Sequence, residues 1–473
     1  MERYNAYING TFVETETYST VYNPATGEAV GECPNCSEAQ VNAAIDAAFE
    51  AQKTWGKLPS YQRAAYLKKW AEALAPETDR LGELETLEQG KSLCQAQGEC
   101  GCLPELIEYV NGWSRRIEGE MIQSDDPNEL VWIAREPLGV VTCIIPWNFP
   151  MYIFVRKVAP ALIAGNTVVV KPSSDTPLTA LEMAKIMDKA GFPAGVVNVV
   201  AGKGSVIGKT LAANPKVAMV SLTGSTGAGQ EVMRNCAENM ARVSLELGGK
   251  APSVVMADAD LDLAVSTIIA AKAKNAGQVC TAPERIYVQK TVADAFLAKL
   301  EAAMKALTYG NGMENPSYGP QINKKAVANI HGMVERAVAD GAKLVMGGFI
   351  PEGEGAFYPP TLLTECRQDM EIMREEIFGP VLPVMTFETA EEALALANDC
   401  KYGLTAVLYT NDMNVMLRFA KEVECGELFV NRMQGEAYNG YHSGWKMTGI
   451  GGDDGKHGLE EFMQTRTVYV VNH

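Results

Sequence analysis

A chain of 473 residues exceeds what one packed core usually holds, so two or more domains are expected. Hydrophobic residues at 47% and charged residues at 21% exclude disorder, and with no run of about eighteen uncharged apolar residues a membrane span is not expected. The formal net charge of −17 repels phosphate backbones and argues against nucleic acid or an anionic membrane as partner.

In chain order, a short strand-rich start is followed by SEAQVNAAIDAAFEAQKTW, where Ser37 and Gln40 form a capping box at the head of a helix. Ser60 opens a second helical run through Leu67 and Trp70 towards Gly90, interrupted at Pro76. From Leu138 the pattern changes: LGVVTCII is a continuous apolar strand that Pro146 stops. Then come a helix over 151–163, a strand over 167–171, a helix after Pro177, a strand over 196–200, a helix to Ala213, a strand over 217–222 and a helix from about Gly227. Apolar strands alternating with helices at this spacing mark a parallel sheet covered on both faces. A second α/β stretch begins near Ala251, with SVVM, a helix from Asp260, RIYVQ and a helix to Leu307, and runs on to about Phe429. The Gly-rich segment GIGGDDGKHG precedes a last strand, TVYVV.

The 11 cysteines lack the rhythm of a secreted disulfide framework, and MERYNAYINGTFVE has no apolar core behind a basic end, so a reducing cytoplasm is expected. The pairs Cys33/Cys36 and Cys100/Cys102 admit a metal, a redox or a plain-thiol reading, and no turn signature flanks both. His331, His442, His457 and His473 show no metal-ligand spacing, so no metal is expected. GKGSVIGKT ends like a phosphate-binding loop but lacks its first glycine, and Gly208 sits one place too late to complete GxGxxG with Gly202 and Gly204. Those glycines read better as a strand-to-helix turn that lets a cofactor approach the backbone.

Four segments are chemically suggestive but indecisive singly. LTGSTGAGQ follows an apolar strand and opens a helix, a place that suits a phosphate or a mere turn. QVCTAPER places Cys280 at the end of a helical run, where a lone cysteine is ordinarily inert. SLELGGKAP ends an apolar strand on Glu246, which must be paired, protonated or facing a cleft. IIPWNFP sets Asn148 in a Pro-flanked turn, able to donate to an oxyanion or only to serve the turn.

Taken together, PWNFP at 146–150, VVVKPS at 168–173, LTGST at 222–226, LELGGKAP at 245–252, GQVC at 277–280, EEIFGP at 375–380 and GGDDGKHG at 451–458 resemble, in order and over essentially the whole chain, the aldehyde dehydrogenase superfamily. The resemblance implies an α/β fold of two doubly wound parallel-sheet domains plus a small β oligomerisation element. The dinucleotide-binding domain would span 1–116 and 138–248, the catalytic domain 249–445, and the oligomerisation element 117–137 and 456–473. In that element a hairpin joins the final strand, which pairs with a neighbour, so a homodimer or homotetramer is implied.

The same resemblance makes Cys280 the nucleophile, Asn148 with the backbone N–H of Cys280 the oxyanion donors, and Glu246 the general base that hydrolyses a thioester. Relatives that pass the acyl group to coenzyme A generally lack that base, so a free acid is the implied product. NAD⁺ or NADP⁺ is the implied cofactor, with Lys171 and the backbone of Ile145, Pro146 and Trp147 lining its adenosine and nicotinamide sides. Gly204, Gly224 and Ser225 would face the phosphates, and Glu376 the nicotinamide ribose, beside Phe378. Ser174 replaces the Glu that commonly holds the adenosine 2′-hydroxyl, which points to NADP⁺ use. NRMQGEAYNGYHSGWKMTGIGGDDGKHG and FVRKVAPALIAGN are similar to bacterial lactaldehyde and glycolaldehyde dehydrogenases. That similarity implies a small hydroxyaldehyde held by Arg156, Glu436 and His442, with Thr281 beside the nucleophile where one such enzyme has Asn. Arg156 also suits a semialdehyde's distal carboxylate or a structural ion pair on its own helix, and His442 also suits a structural hydrogen bond. A catalytically silent structural or binding relative is the alternative of another class.

Overall fold

The computed structural model describes residues 1–471; His473 and the last two positions of the 456–473 expectation lie outside them. Two mostly parallel sheets dominate. In the first, five parallel strands stand in the order Arg242–Glu246, Val217–Thr223, Val140–Ile144, Thr167–Lys171 and Val197–Val199, so the chain starts in the middle and winds outward both ways. Antiparallel edges close it, Gly449–Ile450 on one side and the pair Ala6–Ile8 and Thr11–Val13 on the other.

The apolar runs explain why this sheet is buried on both faces. Successive side chains of a strand point to opposite faces. Val168 and Val170 join one core with the helices Ser60–Leu74, Pro150–Ala164 and Leu178–Lys189, while Val169 joins another with Glu38–Trp55, Gly204–Ala213 and Thr226–Cys236. The second sheet runs Lys343–Met346, Thr361–Thr364, Val381–Phe387, Arg285–Gln289, Pro252–Val255, Thr405–Tyr409 and Glu427–Val430, parallel except at its first strand. It alternates likewise: Val254 and Leu408 face one core, Val255 and Val407 the other.

A third, antiparallel sheet carries the hairpin Glu120–Ile122 and Glu129–Pro137, with Met463–Val471 paired along the full length of the latter. The other edge of Met463–Val471 is unpaired among the described residues.

Local expectations held with small shifts. The Ser37–Gln40 capping box is formed, and the second helical run breaks at Pro76 into Ser60–Leu74 and Thr78–Gln89, the latter ending on left-handed Gly90. The expectation that Cys280 ends a helical run is corrected. The helix Leu261–Ala273 stops seven residues earlier, because Asn275, Ala276 and Gly277 all take positive φ. No helix of the described residues is long and apolar enough to cross a membrane.

Candidate active site

Where strand order reverses, between Val140–Ile144 and Val217–Thr223, the loops at the carboxyl ends diverge and leave a crevice. A cavity of about 550 Å³ occupies it, lined by Ile145, Pro146, Trp147, Lys171, Ser174, Gly204, Gly224, Ser225, Glu376 and Phe378. All ten residues expected at the dinucleotide are thus brought together. The helices Gly204–Ala213 and Thr226–Cys236 start at this cavity and turn their positive ends to it. Ser225 caps the second helix by accepting from the N–H of Ala228. At Gly204 no heavy atom outside its chain neighbours and its own helix backbone stands within 4 Å of where a Cβ would be, so the backbone there is open to a ligand. Lys171 donates to the Pro172 carbonyl, and burial pulls its ammonium down to about 8.

The far end is fixed by a buried carboxylate. Glu284 pairs with Lys250 and Lys272, each at 3.0 Å, and accepts the N–H groups of Ile377 and Phe378. Phe378 is left in a positive φ with its ring edge-on to Trp147 at 5.5 Å. Glu376 accepts from the Gly249 N–H at 2.8 Å, and burial raises its carboxyl to about 7. The paired glycines of LELGGKAP follow from close approach. A Cβ on Gly248 would meet a Glu376 carboxylate oxygen at 2.7 Å, and one on Gly249 would meet the Cys280 carbonyl at 2.4 Å.

A second cavity, about 560 Å³, lies on the other side, lined by Arg156, Thr281, Glu436 and His442 among others. Among the described residues, only Asn148, Thr223 and Cys280 line both cavities. Asn148 donates one amide N–H to the Gln278 carbonyl at 3.0 Å, which ties it to the Cys280 loop and leaves its second N–H available. Thr223, whose buried hydroxyl has no partner among the described residues, was not singled out from sequence.

Glu246 lines neither cavity; it is 3% exposed, with no hydrogen bond to either carboxylate oxygen among the described residues. Its nearest cation is His442, whose Nε2 lies 3.5 Å away. Burial pushes the Glu246 carboxyl well above the usual range, and the charge of His442 opposes this. Nδ1 of His442 meets Glu427 at 2.7 Å and Glu436 at 3.7 Å. Burial and Arg156 disfavour the imidazolium, but the neighbouring Cys280 side chain, the bond to Glu427 and the charge of Glu246 outweigh them and raise its pKa. Glu427, Glu436 and His442 converge closely enough to ligate a cation, a juxtaposition their spacing in sequence does not announce.

Arg156 is buried and ion-paired to Asp454, not to a carboxylate of its own helix as the structural alternative supposed, and lies over the Tyr152 ring. The next residue, Lys157, pairs with Asp453 at 2.9 Å and donates to Ser221. Asp453 and Asp454 sit in the GGDDGKHG motif, the one signal from which they could have been found.

The aldehyde dehydrogenase family model matches residues 12–468. The chain is 47% identical to a lactaldehyde dehydrogenase of Escherichia coli (strain K12), over 98% of each chain. It is 38% identical to a succinate-semialdehyde dehydrogenase [NADP(+)] of the same organism, over 98% of this chain and 97% of the other. A 3,6-anhydro-L-galactose dehydrogenase solved in complex with NAP superposes with a TM-score of 0.97 at 41% identity, over 99% of this chain and 100% of that one.

Proposed function

The chain belongs to the aldehyde dehydrogenase family, and from that premise we propose that it oxidises a small hydroxyaldehyde, such as lactaldehyde or glycolaldehyde, to the free carboxylate. The observation that carries this reading is the placement of Cys280 and Asn148 at the junction of a dinucleotide-sized cavity and a second, polar-ended one. Open helix starts, the exposed Gly204 backbone and the half-buried Glu376 carboxylate suit the first cavity to NAD⁺ or NADP⁺. When bound, that dinucleotide supplies the ring that accepts a hydride.

Deprotonated Cys280 adds to the carbonyl carbon, and the oxygen that becomes negative is met by the free Asn148 N–H and the Cys280 N–H. Departure of hydride leaves an acyl thioester on the sulfur. Glu246, with no hydrogen bond among the described residues to tether it, turns towards the thioester and takes a proton from the attacking water. The carboxylic acid leaves and the thiolate returns.

Arg156, Glu436, His442 and Thr281 are proposed to hold the substrate hydroxyl. Arg156 is already neutralised by Asp454, and Glu436 faces the same cavity, so a small neutral hydroxyaldehyde fits better than an anion there. A semialdehyde remains the second reading on one observation: exposed Lys274 lines the cavity and has no ion pair among the described residues, so it can meet a distal carboxylate. Ser174, donating to the Gly202 carbonyl at the rim, supports acceptance of NADP⁺.

We further propose the domain division given from sequence, with 1–116 and 138–248 binding the dinucleotide, 249–445 catalytic, and 117–137 with 456–473 assembling a homodimer or homotetramer. The unpaired edge of Met463–Val471, with Tyr469, Val470 and Val471 exposed, supports the last point. Free thiols at all 11 cysteines support a cytoplasmic setting. A panel of lactaldehyde, glycolaldehyde and succinate semialdehyde assayed with both cofactors tests the reading. Higher kcat/KM for the hydroxyaldehydes is expected, and equal or higher kcat/KM for the semialdehyde would overturn the substrate choice.

A further inference from the structure

Behind Asn148 lies a buried charge cluster that the proposed chemistry does not use. Lys91, 1% exposed, sits in the turn after the helix Thr78–Gln89, its N–H given to the Gln89 side chain. Its ammonium pairs with Glu85 at 2.6 Å and with Glu99, and donates to the Asn148 carbonyl at 2.8 Å. Glu99 in turn accepts the N–H groups of Met151 and Tyr152, at 3.1 and 3.0 Å. Those are first-turn groups of the helix Pro150–Ala164, whose N-cap residue, Phe149, makes no side-chain cap. The Phe149 ring lies 4.1 Å from the same ammonium. One ion-paired unit therefore grips the chain on both sides of the Asn148 amide.

We propose that Lys91, clamped between Glu85 and Glu99, is a positioning residue that fixes the Asn148 backbone and so aims its amide at the forming oxyanion. The inference rests on the reading of Asn148 as an oxyanion donor. Burying three ionisable groups is a poor way to add stability, since apolar side chains of similar volume often do as well. What such groups provide is a fixed geometry, and here the geometry fixed is that of residues 148–152. Burial and the charge of Glu99 raise the Glu85 carboxyl far above its ordinary value against the pull of Lys91, and the Cys100 thiol donates to Glu85. Asn275 gives the Asn148 carbonyl a second donor at 3.0 Å, so loss of Lys91 loosens the amide without freeing it.

The test is a double-mutant cycle on Lys91→Met and Asn148→Ala, with kcat, KM, dinucleotide affinity and Tm measured for each folded variant. If Lys91 acts through Asn148, its loss lowers kcat by about tenfold, a fraction of what losing an oxyanion donor costs, while dinucleotide affinity stays put. In the Asn148→Ala background the same change then adds almost nothing, because coupled residues are non-additive. A loss that multiplies undiminished in that background, or no loss in the parent, overturns the proposal while leaving the reading of Asn148 intact. An Asn148→Ala variant with unchanged kcat overturns both. Should Lys91→Met not fold, Glu99→Gln takes its place in the cycle under the same criteria, since a glutamine can still accept from Met151 and Tyr152 while losing its charge on Lys91.

Discussion

Replacing His442 by Gln removes the cation that faces Glu246 and tests whether that carboxylate limits thioester hydrolysis. At 3.5 Å an imidazolium and a carboxylate attract by about 1 kcal/mol in a water-like medium and about 5 kcal/mol at an effective dielectric of ~20. One pKa unit corresponds to about 1.4 kcal/mol, so the range is roughly one to three and a half units. Glu427 and Glu436 offset the imidazolium from its other side, and the lower end, about one unit, is the expected shift. The sign is fixed by the charges. His442 favours the ionised base, so without it Glu246 ionises at higher pH and the rising limb of deacylation moves to the alkaline side. The assay is the pH dependence of hydrolysis of preformed acyl-enzyme, which is independent of any role of His442 in substrate binding. A midpoint that stays in place, or moves to lower pH, refutes the reasoning.

Other outcomes follow from the same geometry. Asn148→Ala is expected to lower kcat by about 10²–10³, the effect of losing one oxyanion donor, with little change in dinucleotide affinity; a matched loss in affinity would point to a misfolded crevice instead. Ser174→Glu should lower kcat/KM for NADP⁺ by about tenfold or more relative to NAD⁺, through repulsion of the 2′-phosphate, measured as a ratio of specificity constants. A wild-type preference for NAD⁺ of about a hundredfold would instead end the case for NADP⁺ use. Val470→Pro on the exposed final strand should shift the oligomer towards monomer in light scattering, because proline cannot donate to a pairing strand; an unchanged mass would place the interface elsewhere.

The fold was legible because it depends on local pattern. Three consecutive valines, Val168 to Val170, can be buried on both faces only inside a covered sheet, and Ser37 with Gln40 announces a helix start by chemistry alone. The residues that line the first cavity were legible through motif order. What was hidden depends on closure of the chain in space. Arg156 meets Asp454 across 298 residues, and Lys157 meets Asp453 across 296, pairings that no periodicity encodes. Glu427 sits in an ordinary strand and gains its role only when His442 is folded against it. The early end of the helix before Cys280 was likewise invisible. The turn brings the backbone of Gly277 so close to its neighbour that a Cβ there would stand only 2.3 Å from the Gly379 carbonyl, a contact made across about a hundred residues.

The most direct test of the covalent route is to trap its intermediate. With Glu246→Gln, aldehyde and dinucleotide, intact-mass and peptide analysis should find one acyl group per chain on the sulfur of Cys280, formed with a single burst of reduced cofactor and slow turnover after it. Reduced cofactor accumulating at the parent rate, or an acyl group found elsewhere than on Cys280, would contradict the account.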